Sequence, residues 1–415
     1  MAMALEFLLN MKTESSLHIS HKPHLDYEPV PYHPDLYGDV LEAVVTRVPT
    51  VDLIPASRVS REWHRAVRSS LLRHPRRSPW LLLRFLPRPT SPGLFSIHAF
   101  DPFSSSWLSL PQYSGTSNKK PADDGMTTFL CASTGDRLHT LSASTMVVSK
   151  DPFCTEWRKE AKAPKVWRKD AVVAEVGQWV VVAGGGCHMV LEEGDVVGAV
   201  EVYDKKAGTW ESAEPIPEQF DGSAYATWLS AAASDERLYV MEKKAGLVGS
   251  FDPQSKRWGP TCQLRLDPAV SSWAIAIGRD ERLIAVGVGP VGQSGTKVRF
   301  WEVNRETLQP VADTKIEDMP TEMVERLFPL EEGDDDTWRC SSVEVCGTDR
   351  GGYVYNPSEM RNGAVLYEFT EEVGRMVGRW EWVPLPERVG DSGMGRIEFG
   401  CSAVGFDDLA SFWRH

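Results

Sequence analysis

No uninterrupted apolar run in the 415-residue chain reaches the roughly 18 residues that a membrane-crossing helix requires, so no span is expected. The opening stretch MAMALEFLLNMKTESSLHIS has a short apolar patch but lacks a basic segment before it and a small-residue cleavage pattern, so it does not read as a signal peptide. Residues 1–33, rich in His, Pro and Ser, are expected to form a mobile leader. Cysteine is sparse and odd in number: Cys131, Cys154, Cys187, Cys262, Cys340, Cys346 and Cys401, with no CxxC pair. That pattern suggests neither a disulfide framework nor a zinc ribbon, and it fits reduced thiols in the cytosol or nucleus. Basic residues are also short, 45 Lys and Arg against 58 Asp and Glu, a net charge of −13. A chain so charged is not a nucleic-acid binder as a whole, and a protein partner or small ligand suits it better.

The chain does hold a repeat. FDPFSSSW (Phe100 to Trp107) returns as KDPFCTEW (Lys150 to Trp157), VYDKKAGTW (Val202 to Trp210) and FDPQSKRW (Phe251 to Trp258). Looser forms are EVNRETLQ from Glu302 and YEFTEEVGRMVGRW from Tyr367. Asp101, Asp151, Asp204 and Asp252 are 50, 53 and 48 residues apart, a period near fifty. Each unit shows two apolar runs, the Asp-turn-Trp signature and a short run ending in Pro, which predicts four short strands. Asp at the strand end can accept from backbone amides two residues on, and Trp begins the outer strand, where its ring is expected to cover the next unit. Many of the fifteen tryptophans are thereby assigned to packing. One such sheet cannot bury both faces, but a ring of them can. Six units are expected, at residues 79–113, 126–165, 170–218, 224–264, 272–320 and 337–387. The first has room for three strands, so the strand-like RIEFGCSAVGF (Arg396 to Phe406) is expected to complete it and close the ring. Residues 407–415 are left as a tail.

Before the repeats, residues 33–71 are helical by pattern. Val40, Leu41, Val44 and Val48 recur at three- and four-residue steps until Pro49. Val59, Trp63 and Val67 repeat the pattern after a middle segment broken by Pro55. Three small helices bury little surface, and their outward apolar positions invite a partner.

The order L…DVLEAVVTRVP…DLI…RVSREWHRAV closely resembles an F-box over residues 34–75, with Tyr37 where Pro is usual after the first Leu. VVVAGGG (Val180 to Gly186), with the partial LIAVGVG (Leu283 to Gly289), resembles the glycine run of a kelch repeat. Together they resemble the plant kelch F-box proteins. The resemblance implies a mainly β protein, a six-bladed kelch-type β-propeller (79–406) behind a three-helix F-box. It implies docking on the Skp adaptor, and through it the cullin, of an SCF ubiquitin ligase, with the propeller holding a protein substrate for degradation. Such a receptor uses no cofactor and no catalytic residue. The adaptor surface is expected at Leu36, Val40, Leu41, Val48, Pro49, Leu53, Val59 and Trp63. Some relatives target enzymes of phenylpropanoid metabolism, chalcone synthase among them.

Strand parity places the loops from the second to the third strand, and from the fourth to the next first, on one face. That face is expected to carry Cys187, His188, Glu192, Glu193 and Asp195, with Asp334, Asp335 and Asp336, against basic loops at Lys119, Lys120, Lys165 and Arg168. Cys187 beside His188 is too little for a metal site. The run Arg58 to Arg88, including Arg76 and Arg84, reads as a solvated helix face and linker. Two other classes stay open: a copper enzyme on the same ring, for which no ligand set is recognisable, and a scaffold that binds partners without ubiquitin transfer.

Overall fold

The computed structural model describes residues 38–76, 78–86, 96–109, 139–141, 145–149, 151–154, 157–166, 171–185, 198–220, 228–290, 295–311, 316–329, 342–372, 375–386 and 396–412. Three short helices come first: α1 (Gly38–Val45), α2 (Thr50–Ser57) and α3 (Arg61–Arg73). Pro49 ends the first and opens the second, its carbonyl accepting from the Asp52 and Leu53 amides at 3.0 and 3.2 Å. Ser60 caps α3 by accepting from the Trp63 amide at 3.2 Å. Pro55 does not break the middle segment; it lies inside α2. A proline there forfeits one helical hydrogen bond, and the buried Leu53, Ile54 and Ala56 around it hold the short helix in place. Leu41, Val45, Val48, Leu53 and Val67 form the core of the helical unit, with Trp63, Ala66 and Leu71 at its edge.

Most of the other described residues form a ring of six antiparallel sheets. Blade one pairs Trp80–Leu86, Ser96–Asp101 and Ser106–Ser109 with the strand Arg396–Ser402, which runs in full register from Trp80↔Ser402 to Leu86↔Arg396. The two ends of the ring sequence therefore share one sheet, with the last strand innermost. Blades three and six have four strands each, headed by Val172–Val176 and Glu344–Thr348. Blade four, headed by Leu229–Ala233, has five because its outer strand is split. Blades two and five show three strands among the described residues.

Strand residues alternate between neighbours, so each blade is buried on both faces. In blade one, Leu81, Leu83 and Phe85 pack on Cys346 and Tyr353 of blade six. Trp80 and Leu82 face Phe153 and Cys154 of blade two, in a cluster that also takes in Ile54 of α2. Further clusters join blade two to three (Met146, Val173), three to four (Val202, Val240), four to five (Met241, Ile275) and five to six (Val286, Val354). Six interfaces for six sheets close the circle.

The repeat signature acts as a hinge pin in four of the blades. Asp101 Oδ1 accepts from the Phe103 amide at 2.9 Å, Asp204 Oδ1 from Lys206 at 2.7 Å, and Asp252 Oδ1 from Gln254 at 2.8 Å. Asn304 does the same in blade five, accepting from Glu306 at 2.9 Å. Four residues after each of these, the chain takes a left-handed conformation at Ser105, Gly208, Lys256 and Leu308. Only Gly208 adopts it without steric cost.

Four signature Trp residues stand opposite an aromatic residue in register: Phe100↔Trp107, Tyr203↔Trp210, Phe251↔Trp258 and Tyr367↔Trp380, while Trp157 of blade two stands opposite Ser149. The first three pairs have centroids 5.4, 5.3 and 5.2 Å apart. The indoles do not cover the following unit as expected from sequence. They reach back: Trp107, Trp210 and Trp258 donate to the carbonyls of Pro384, Lys162 and Glu214 at 2.8, 2.8 and 3.1 Å, all in the preceding unit. The indole N–H needs an acceptor, and the carbonyls where the preceding outer strand ends supply it.

Two further expectations are corrected. Residues 406–412 are not strand and tail but a helix, Phe406–Phe412, in which Leu409 is fully buried. Asp408 accepts from the Gly405 amide at 2.9 Å, and Phe406 and Leu409 fall on one face, against the cluster of Ile54 and Val404. Phe406 also touches the core of the helical unit, so helices and ring are packed as one body here. Arg84, grouped by sequence with a solvated run, lies 1% exposed within strand Trp80–Leu86.

Candidate adaptor and substrate surfaces

The three-helix unit packs on one side against blade one. On the packed side, the carboxylate of Asp101, the repeat aspartate of blade one, lies beside the start of α2 at Thr50 and near Arg76. Burial pushes the Asp101 carboxyl above its ordinary range, opposed by hydrogen bonds from Phe103 and Ser104, by the Thr50 amide and by the charge of Arg76. Arg76 in turn donates to Thr50 Oγ1 at 3.2 Å and to the carbonyls of Val45 and Thr46 at 3.1 and 3.3 Å. Burial lowers its guanidinium below the usual range, which Asp101 counters.

The helical unit leaves the apolar residues Val40 and Val44 on α1 and Leu72 on α3 exposed, at 61%, 37% and 81%. Val40 was expected at the adaptor surface, and Pro49, Val59 and Trp63 are partly exposed. Leu41, Val48 and Leu53 are not on that surface: they are 1%, 8% and 0% exposed and form the interior of the helical unit. The reason for Leu41 is helical geometry, which places Val40 and Val44 on one face of α1 and Leu41 and Val45 on another, while Val48 is buried from the turn that follows. Sequence reasoning placed Val44 in the helical repeat but not at the adaptor surface, and it missed Leu72. Leu36 lies outside the described residues.

Of the substrate-face residues, Lys165 is described. It is exposed in the segment from blade two to blade three, and its amide donates to Glu201 Oε1 at 2.8 Å. Lys119, Lys120, Arg168, Cys187, His188, Glu192, Glu193, Asp195, Asp334, Asp335 and Asp336 lie outside the described residues.

The same face is well described over blades four to six. Lys243 Nζ of blade four meets Glu344 Oε2 of blade six at 2.5 Å, while Glu344 Oε1 accepts from Ser230 Oγ at 2.8 Å. Between them, Ser272 Oγ of blade five accepts from the Val343 amide at 3.3 Å, and Ser230 Oγ accepts from the Ile275 amide at 3.1 Å. These polar groups stitch three inner strands together at one end of the ring. Trp228, 44% exposed, stands at the same end, with Lys244 Nζ 4.9 Å from its ring centroid. No sequence signal separated Trp228 from the structural tryptophans. Among the described residues, no group of three or more His, Cys, Asp or Glu could hold a metal ion, and no helix is long and apolar enough to cross a membrane.

The chain is thus a three-helix unit with exposed apolar residues, fastened to a six-bladed β-propeller. Residues 34–75 match the F-box domain family. The chain is 32% identical over 386 residues to the F-box/kelch-repeat protein At1g23390 of Arabidopsis thaliana, an alignment covering 91% of this chain and 92% of that protein. It belongs to the F-box/kelch-repeat family. Among solved structures, those titled YjhT and U3-55K align with 68% and 70% of the chain and 91% and 76% of their own. Their identities are 12% and 14%, and their TM-scores of 0.35 and 0.38 are too low to carry an argument.

Proposed function

We propose that the chain is the substrate-recognition subunit of an SCF-type ubiquitin ligase, acting in the cytosol or nucleus. The F-box docks on a Skp adaptor, and through it on the cullin, by the side that bears Val40, with Pro49, Val59 and Trp63 contributing and Leu36 expected beside them. The propeller holds a protein substrate on the face formed by its second-to-third and fourth-to-first loops. The chain makes and breaks no bonds itself; its contribution is proximity, which raises the effective concentration of substrate lysines at the ligase. The family's targets in phenylpropanoid metabolism make chalcone synthase the first substrate to test.

One observation carries the reading: the helical unit is fastened to the ring through Ile54 and Arg76, yet keeps Val40, Val44 and Leu72 in water. Exposed apolar groups gathered on a small unit mark a protein interface. The test is capture of recombinant Skp adaptor by the full chain and by its Val40→Asp and Leu72→Asp variants. Wild type is expected to bind and the variants to lose at least tenfold. Equal capture by all three, or none by wild type, rejects adaptor docking. Loss of chalcone synthase in cells that express the chain, blocked by a proteasome inhibitor, tests the substrate.

A further inference from the structure

Trp228 and the turn Lys243 to Gly246 form a built feature on the substrate face. Trp228 directly precedes the inner strand Leu229–Ala233 of blade four, and its carbonyl accepts from the Lys243 amide at 2.9 Å. The turn is fixed at every point. The Glu242 carboxylate caps the Ala245 amide, the Gly246 amide donates to the Glu242 carbonyl at 2.9 Å, and Gln263 binds the Ala245 carbonyl. Gly246 sits at φ +69° with the Trp273 indole 3.0 Å from where a Cβ would be, so neither its conformation nor its space admits a side chain. Lys243 is tied to Glu344. What remains outward is the Lys244 ammonium above the Trp228 ring.

The unmet chemistry of this feature is one-sided. Glu242 is engaged by the turn, and Glu344 by Lys243 and Ser230, so the carboxylates next to it are already satisfied. Among the described residues Lys244 has the Trp228 ring as its partner and no carboxylate. An exposed indole is a costly surface to leave in water, and aromatic anchors beside a charge dominate many interfaces. We infer that Trp228 and Lys244 are a contact site for an acidic segment of the protein substrate, in which a carboxylate pairs with Lys244 and an adjacent aromatic or aliphatic side chain lies on Trp228. The fixed turn presents both groups without ordering cost at binding. The inference rests on the reading of the propeller as the substrate-holding part and names the chemistry that it selects.

The experiment uses the full chain and three fluorescein-labelled nonapeptides: acidic with a central Trp, basic with a central Trp, and acidic with a central Gly. Anisotropy is expected to rank the acidic Trp peptide first. Trp228→Ala should weaken it at least tenfold and bring it level with the acidic Gly peptide. Lys244→Glu should weaken the acidic Trp peptide at least tenfold and strengthen the basic one, a reversal that misfolding does not produce. Equal binding of acidic and basic peptides by wild type, or unchanged binding by either variant, overturns the site. Substrate capture by the adaptor-bound full chain separates the two claims. If Trp228→Ala and Lys244→Glu capture chalcone synthase like wild type, the receptor reading stands and this site is wrong. If wild type itself captures none, both fall.

Discussion

The guanidinium carbon of Arg76 lies 4.2 Å from the ring centroid of Phe103. Arg76 follows α3 of the F-box, and Phe103 sits in the Asp-turn of blade one. With its three hydrogen bonds to α1 and α2, Arg76 is a bolt between the two parts of the receptor. The position of the helical unit on the ring is therefore set by packed side chains.

Cutting this bolt should loosen the junction. Arg76→Ala removes the cation–π contact and leaves the Val45 and Thr46 carbonyls without that donor, a loss of about 1–3 kcal/mol. Urea denaturation should show the loss, and limited proteolysis should speed cleavage between the F-box and Trp80. Adaptor capture should hold, since Arg76 lies on the packed side. Unchanged proteolysis would show that the Ile54 and Phe406 contacts suffice.

The charge of Asp101 has a pH signature. Its folded-state pKa is raised above the usual value near 3.8, chiefly by burial, so the folded protein binds a proton that the unfolded chain has released. Stability from this group is full below the unfolded value and is lost as pH rises through the folded one. Compared with Asp101→Asn, which does not titrate, wild type should lose relative stability as pH climbs from about 4 toward neutrality. Urea midpoints at four or five pH values would settle the sign. A relative gain over that window would mean that Arg76 and the Thr50 amide outweigh burial.

The signature tryptophans should not be equivalent. Trp107→Phe, Trp210→Phe and Trp258→Phe each delete a hydrogen bond to the preceding unit and should cost about 0.5–1.5 kcal/mol beyond the smaller ring. The Nε1 of Trp380 is buried with no partner among the described residues, inside the cluster of Phe300, Tyr367 and Phe369. Trp380→Phe removes an unmet donor and should cost less than the other three. Four matched urea curves test the order, and a Trp380→Phe loss equal to the rest would refute it.

Closure of the ring can be followed through thiols. Cys401 lies on the closing strand opposite Leu81 and is buried, as are Cys154 and Cys346, while Cys262 is partly exposed. Burial also pushes the Cys154 thiol up to about 11. Iodoacetamide should label Cys262 first among these four in the native protein, and the other three on unfolding. Truncation after Glu387 exposes the edge of Trp80–Leu86 and should give an insoluble or protease-sensitive product. A soluble truncation with unchanged thermal midpoint would mean that the closing strand is dispensable.

Much of this protein is written locally. The spacing of Asp101, Asp151, Asp204 and Asp252 announces the blades, because each Asp-turn is made within a few residues and needs no distant partner. The F-box helices are equally local, with Ser60 capping and Pro49 punctuating the run. Direction and side were decided elsewhere. Whether an indole covers the next blade or the one before depends on which carbonyl lies within reach once the ring is closed, and that carbonyl is about fifty residues away or, for Trp107, 277. Leu41 and Val40 look alike in the pattern, yet only packing of α1 on α3 and on the propeller makes one core and the other surface. Phe406 and Leu409 became a buried helix because Ile54 and blade one offer them an apolar seat that no local rule contains. Trp228 is left 44% exposed because it stands just before the inner strand Leu229–Ala233, at a rim that exists once the sheets have met.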